Sequence, residues 1–89
     1  MSIEEKVSQI VRLMGTVIDD ASIPRNVRRA VGEAKEKLEG SDDLNARVSS
    51  AVYAIEQVSE DINMPMHART QIWTILSALE RLDSERVGE

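Results

Sequence analysis

The sequence of 89 residues contains no cysteine and no phenylalanine, one tryptophan, one tyrosine, one histidine and two prolines. Without cysteine there is no disulfide, thiol nucleophile or thiolate metal ligand, and a reducing compartment, the cytoplasm by default, is the expected setting. With so few rings, the core has to come from interlocking aliphatic side chains, at about 25 cal/mol per Å² of apolar area buried. No apolar run approaches the ~18 residues of a membrane span, and the opening Ser2, Ile3, Glu4, Glu5, Lys6 lacks the basic-then-apolar order of a secretory leader. Secretion and membrane insertion are therefore not expected. Positive charge is also scarce: 11 Lys and Arg face 16 Asp and Glu, a formal net charge of -5. Binding to a phosphate backbone is driven by counterion release onto Lys and Arg, so it is not expected as the main activity.

What is present is an internal echo. Shifting the chain by 41 residues superimposes Pro24 on Pro65 and gives nine identities between residues 3–40 and 44–81: Val7/Val48, Ser8/Ser49, Val11/Val52, Val17/Val58, Asp20/Asp61, Pro24/Pro65, Arg28/Arg69, Leu38/Leu79 and Glu39/Glu80. Roughly two or three would arise by chance, so the pattern reads as a duplicated unit. Within each copy the apolar residues follow the three-then-four rhythm of a one-sided helix. Ile3, Val7, Ile10, Val11, Met14, Val17, Ile18 and Ala21 form the first stripe, and Leu44, Val48, Ala51, Val52, Ile55, Val58 and Ile62 its counterpart. Val27, Ala30, Val31, Ala34 and Leu38 form the second, matched by Ala68, Ile72, Ile75, Leu76, Leu79 and Leu82. No segment alternates with the period of a strand.

Start and stop signals agree with four helices. Ser2 and Glu5 have the spacing of a capping box, Ser41 with Asp42 and Asp43 can open a third helix, and Gly40 can close the second. Pro24 and Pro65 suit the first turn of helices two and four, where a missing N–H is harmless. Short linkers make successive helices antiparallel neighbours. The expected fold is all-α, an up-down antiparallel four-helix bundle built from two duplicated hairpins, residues 3–40 and 44–82, in one domain spanning 1–89. Residues 84–89 are expected to fray. Gly40 and Ser41 could serve as a hinge for exchange of hairpins between chains.

Acidic pairs, Asp19/Asp20 and Glu60/Asp61, end the first and third helices, the wrong sign for a helix C-terminus. Each copy places an Asp four residues before its proline and an Arg four after it. Asp20 with Arg28, and Asp61 with Arg69, are therefore candidate structural bridges across each bend, with capping of the next helix as the other role open to the carboxylates. Neither loop carries the ligand ladder of a calcium site.

Differences between the copies bear more on function. Met66, Trp73 and Leu76 stand where the first copy has Arg25, Gly32 and Lys35. They widen the apolar face of helix four, and with Tyr53 on helix three they form a candidate interface for a partner helix or a second copy of the chain. Local packing would use the same residues. Gly15 and Gly32, inside helices, can mark the approach of another backbone. Arg25, Arg28 and Arg29 open helix two and form the one basic cluster, a candidate anion or RNA contact, although no aromatic platform interleaves them and Glu33, Glu36 and Glu39 follow.

Catalysis finds little support. His67 is the single histidine, no Ser-centred elbow or Gly-rich phosphate loop occurs, and the Glu-x-x-His pairs of a bundle di-metal site are missing. No catalytic residue, cofactor or metal is assigned.

The segment Asp-x-Ser-Ile-Pro-x-x-Val-Arg-x-Ala from Asp20 to Ala30, and Asp-Ile-Asn-Met-Pro from Asp61 to Pro65, within a duplicated hairpin, resembles an uncharacterised, mainly archaeal family of short all-helical proteins. The resemblance covers essentially the whole chain and implies an all-helical fold and an archaeal cytoplasm, which fits the charged, cysteine-free composition. It assigns no activity and carries no functional residue. The expected function is a small non-catalytic module for protein interaction or assembly, with a homodimer as one form. Accessory binding of RNA or ribonucleoprotein through Arg25, Arg28 and Arg29 is the alternative.

Overall fold

A computed structural model of the chain describes residues 2–87. Four helices, α1 (Ile3–Ile18), α2 (Arg25–Leu38), α3 (Leu44–Glu56) and α4 (Met66–Val87), account for its regular structure, with no strand among the described residues. α1 packs on α2 and on α4, and α3 packs on the same two, while among the described residues the backbones of α1 and α3, and of α2 and α4, stay apart across the core. The result is a compact all-α body of 38 × 21 × 21 Å.

Each helix buries most of the stripe its spacing marks out; Ala21, placed at the end of the first stripe, lies in the bend beyond α1 and is exposed. Val7, Ile10, Met14 and Val17 of α1 meet Val27, Ala30, Val31, Ala34 and Leu38 of α2. Val48, Ala51 and Ile55 of α3 and Ala68, Ile72, Ile75, Leu76, Leu79 and Leu82 of α4 complete the same core. It holds no aromatic ring. Each fully enclosed Leu or Ile contributes about 1.5–3 kcal/mol relative to exposure.

The start of α1 is the expected reciprocal box: Glu5 N–H donates to Ser2 Oγ at 3.2 Å and Ser2 N–H to Glu5 Oε1 at 3.0 Å. Asp43 opens α3 by accepting from Ala46 N–H at 2.9 Å. Pro24 lies one position before the first turn, as the N-cap of α2, and its carbonyl accepts from Arg28 N–H at 3.0 Å. The pyrrolidine therefore fixes the entry to the helix. Gly40 closes α2 without a left-handed turn, since no glycine among the described residues has positive φ. A Cβ there would lie 3.2 Å from the Lys37 carbonyl oxygen, so close approach, not backbone freedom, is what glycine provides.

Three expectations need correction. α3 stops at Glu56 and the chain continues in successive turns, so Val58 still reaches the core but Ile62 leaves the stripe and is 88% exposed. A run of apolar spacing cannot by itself locate the helix end, because turns of similar pitch keep the same rhythm for a few residues. α4 continues as helix past Ser84 to Val87, while residues 88 and 89 lie outside the described residues. Gly15 and Gly32 have nothing within 4 Å of an added Cβ, so no other part of this chain approaches them there.

Candidate functional site

The α1–α2 and α3–α4 bends, which lead into Pro24 and Pro65, meet at one end of the molecule. There Asp20 Oδ1 accepts from Ser22 N–H at 2.9 Å and from Ser22 Oγ at 2.6 Å, folding the bend into an Asx turn. Asp61 Oδ1 accepts from Asn63 N–H at 2.8 Å in the same way. The second oxygen of each carboxylate crosses to the other hairpin. Asp20 Oδ2 pairs with His67 Nε2 at 3.1 Å, and Asp61 Oδ2 accepts from Asn26 Nδ2 at 2.7 Å. Asn26 and His67 are themselves 41 positions apart, so the two cross-links are counterparts. Both place an acidic group against the first turn of the opposite hairpin's helix, where the unpaired N–H groups favour negative charge.

These contacts set the carboxylates' acidity. The Ser22 hydroxyl, then the Ser22 N–H, and to a smaller extent His67 hold Asp20 below its ordinary range. For Asp61 the Asn26 amide dominates, followed by Asn63 N–H and the charge of Arg69.

The expected arginine bridges do not form in this way. Arg28 is half-buried and donates from Nε to the Ile23 carbonyl at 2.9 Å, tying α2 back to its own bend. Among the described residues no ion pair joins it to Asp20 or joins Arg69 to Asp61, although Arg69 is near enough for its charge to lower the Asp61 pKa. The hydroxyl of Ser22, two residues away, reaches Asp20 before a guanidinium on the next helix can. Ser22, Asn26, Asn63 and His67 were missed as carboxylate partners. The offset of 41 residues held the signal, because it aligns one short polar side chain two positions after each Asp, Ser22 with Asn63, and one polar side chain two positions after each proline, Asn26 with His67.

Ser22, His67 and Asp20 invite comparison with a nucleophilic triad. Ser22 Oγ lies 3.1 Å from His67 Nε2, the same nitrogen that faces Asp20. A serine relay needs the hydroxyl and the carboxylate on opposite ring nitrogens. Here the Ser22 hydroxyl donates to Asp20 Oδ1 and the one nitrogen Nε2 faces both oxygens, which makes the cluster a tie between bends. No group of three or more His, Asp or Glu able to hold a metal ion occurs among the described residues.

The candidate interface residues do not share one surface. Leu76 is buried, at 3% exposure, and belongs to the core, because it lies on the edge of the α4 stripe where α4 meets its neighbours. Met66 is 77% exposed, Trp73 48% and Tyr53 67%. Trp73 borders a shallow depression on the outer face of α4, together with Thr70, Thr74, Ser77 and Ala78 and with Arg69 and Arg81 at its ends. Tyr53 borders a separate groove of about 510 Å³ between α2 and α3, with Arg29, Glu33, Lys37 and Gln57. The arginine corner divides likewise: Arg25 is exposed, Arg29 lines that groove, and Arg28 is committed to the Ile23 carbonyl.

Residues 1–82 match the model of the uncharacterised protein family UPF0147. The chain belongs to that family. A UPF0147 protein of Thermococcus kodakarensis is 45% identical over 80 residues, covering 88% of this chain and 96% of the relative. One from Archaeoglobus fulgidus is 40% identical over 79 residues, covering 89% and 91%. Among solved structures, a protein of unknown function, MMP1188, superposes with a TM-score of 0.85 at 39% identity, covering 89% of this chain and 91% of that one. A UPF0147 protein from Thermoplasma acidophilum superposes at 0.83 and 29% identity, covering 89% and 94%. These UPF0147 relatives are archaeal and bring no assigned activity with them. No helix among the described residues of this UPF0147 chain is long and apolar enough to cross a membrane.

Proposed function

We propose that this UPF0147 protein is a non-catalytic interaction or assembly module of the archaeal cytoplasm, an up-down four-helix bundle of two duplicated hairpins that presents the outer face of α4 to a protein partner. The observation that carries the reading is a contrast between equivalent faces. On α4 the exposed positions include Met66 and Trp73, whereas the positions 41 residues earlier on α2 are Arg25 and Gly32. α2 shows that the same core can be closed beneath a charged surface, so packing within the chain does not call for an exposed indole on α4. Trp and Met are enriched at the centres of protein interfaces. The ring of helix contacts and the paired cross-links Asp20–His67 and Asp61–Asn26 support the duplicated-bundle description.

The test is affinity recovery from a native-type lysate, in nuclease-treated and untreated halves, with the wild type and Trp73→Ala compared. Partners retained after nuclease and lost with Trp73→Ala are the expected result. Partners lost with nuclease and with Arg25→Glu/Arg29→Glu would move the function to RNA or ribonucleoprotein. That alternative is weakened by the engagement of Arg28 within the α1–α2 bend.

A further inference from the structure

Resting on that reading, and naming the partner, we infer that the outer face of α4 docks a second copy of the same chain in an antiparallel two-fold arrangement centred between Trp73 and Ser77. At 100° per residue Met66, Arg69, Trp73, Ser77 and Glu80 fall within an arc of about 80°, a seam like that of a coiled-coil helix. The face is less polar than its composition suggests. Thr74 Oγ1 donates to the Thr70 carbonyl at 2.9 Å and Thr70 Oγ1 to the Met66 carbonyl at 3.2 Å. With both hydroxyl protons used inside the helix, the methyl groups are what these residues offer outward.

Two features select a second copy as the occupant. The patch carries both halves of a fit, the projecting indole of Trp73 and the shallow depression beside it, uncharged at its centre along Thr70, Thr74, Ser77 and Ala78 and flanked by Arg69 and Arg81, which is what an isologous interface requires. An antiparallel pairing lays Trp73 of each copy over Thr74 and Ser77 of the other. The charges then match. Arg69 stands one turn before Trp73 and Glu80 about one turn after Ser77, so the two-fold brings Arg69 of one copy opposite Glu80 of the other, twice. A parallel pairing would set like charge against like. The equivalent face of α2, with Arg28, Arg29, Glu33, Glu36 and Lys37 around Gly32, has neither the indole nor the uncharged centre.

Sedimentation equilibrium of the full chain over a range of concentrations reads the association. The wild type is expected to dimerise, Trp73→Ala to weaken the dimer about a hundred-fold, and Arg69→Glu or Glu80→Arg alone to weaken it about ten-fold. The double reversal Arg69→Glu/Glu80→Arg is expected to restore it. Within one helix these residues are about 16 Å apart and cannot pair, so restoration reports a contact between copies. Ser77→Glu, at an exposed position, disrupts the same seam without touching the core, and circular dichroism confirms that each variant is helical. A wild type that stays monomeric to its solubility limit, or a dimer indifferent to Trp73→Ala and Ser77→Glu, overturns the inference. A monomer whose Trp73 still captures another protein overturns the second copy and leaves the interaction module, whereas a monomer that captures nothing through Trp73 removes both.

Discussion

Asp20 and Asp61 each reach across to the other hairpin, Asp20 to His67 at 3.1 Å and Asp61 to Asn26 at 2.7 Å, so the two bends are joined by reciprocal contacts related by the repeat. One member of the pair uses an imidazole and the other an amide. Each carboxylate also shapes its own bend, which makes these two residues the points where local turn and tertiary packing meet.

Replacing His67 by Asn gives both cross-links the same chemistry, and the melting temperature is expected to stay close to that of the wild type. His67→Ala removes the contact and lowers it. Because the pair is solvent-exposed, that loss is expected to be smaller than the loss from any large-to-small change in the core. Thermal unfolding followed by circular dichroism distinguishes the two variants, and a larger loss from Asn than from Ala would contradict the description of the tie.

Acid should loosen the bends that hold Asp20 and Asp61 and, at the opposite end of α1, the Ser2/Glu5 capping box. Asp20, Asp61 and Glu5 are all held below their ordinary acidities, by Ser22, Asn26 and Ser2 respectively as the leading partners. A group whose pKa is depressed on folding contributes stability that is complete above its unfolded pKa and disappears as the pH falls through the folded one. Unfolding midpoints measured from neutral pH downward are therefore expected to hold until the ordinary carboxylate range, near pH 4, and then to fall. Asp20→Asn and Asp61→Asn should each flatten that fall while lowering stability at neutral pH.

Leu76 and Trp73 should part company under mutation. Leu76 is enclosed, and Leu76→Ala is expected to cost about 2–5 kcal/mol. Trp73 is half-exposed, and Trp73→Ala is expected to cost about 1 kcal/mol or less at a concentration where the chain is monomeric. Denaturant titration of both variants checks this; comparable losses would place Trp73 in the core.

Gly32→Ala is expected to raise stability by about 0.4–1 kcal/mol, since an added methyl meets nothing and the helix gains from a stiffer unfolded chain. Gly15→Ala should behave alike. At Gly40 the same change is expected to bring no gain, because its Cβ would crowd the Lys37 carbonyl. Chemical denaturation of the three variants orders them.

Much of the fold could be read from spacing. The three-then-four rhythm picks out Met14, Val31, Ile55 and Leu79 as core, and the capping pair Ser2/Glu5 and the cap Asp43 form as their positions imply. Such features depend on residues within one or two turns of each other, and short-range geometry is fixed by the order of side chains. The end of α3 was less legible, because Ile62 keeps the apolar rhythm while the backbone has already turned away.

The sequence by itself therefore determined four helices, most of their buried stripes and the 41-residue offset at which the residues of the two bends correspond. Only the tertiary structure decided which partner each charged side chain takes. Arg28 can reach Asp20, Ile23 or solvent from its place in the sequence, and the path of the bend selects the Ile23 carbonyl. It also separated Leu76 from Trp73 and Trp73 from Tyr53, because burial at the edge of a stripe depends on how neighbouring helices are rotated and spaced, a property of the assembled body and not of any one helix.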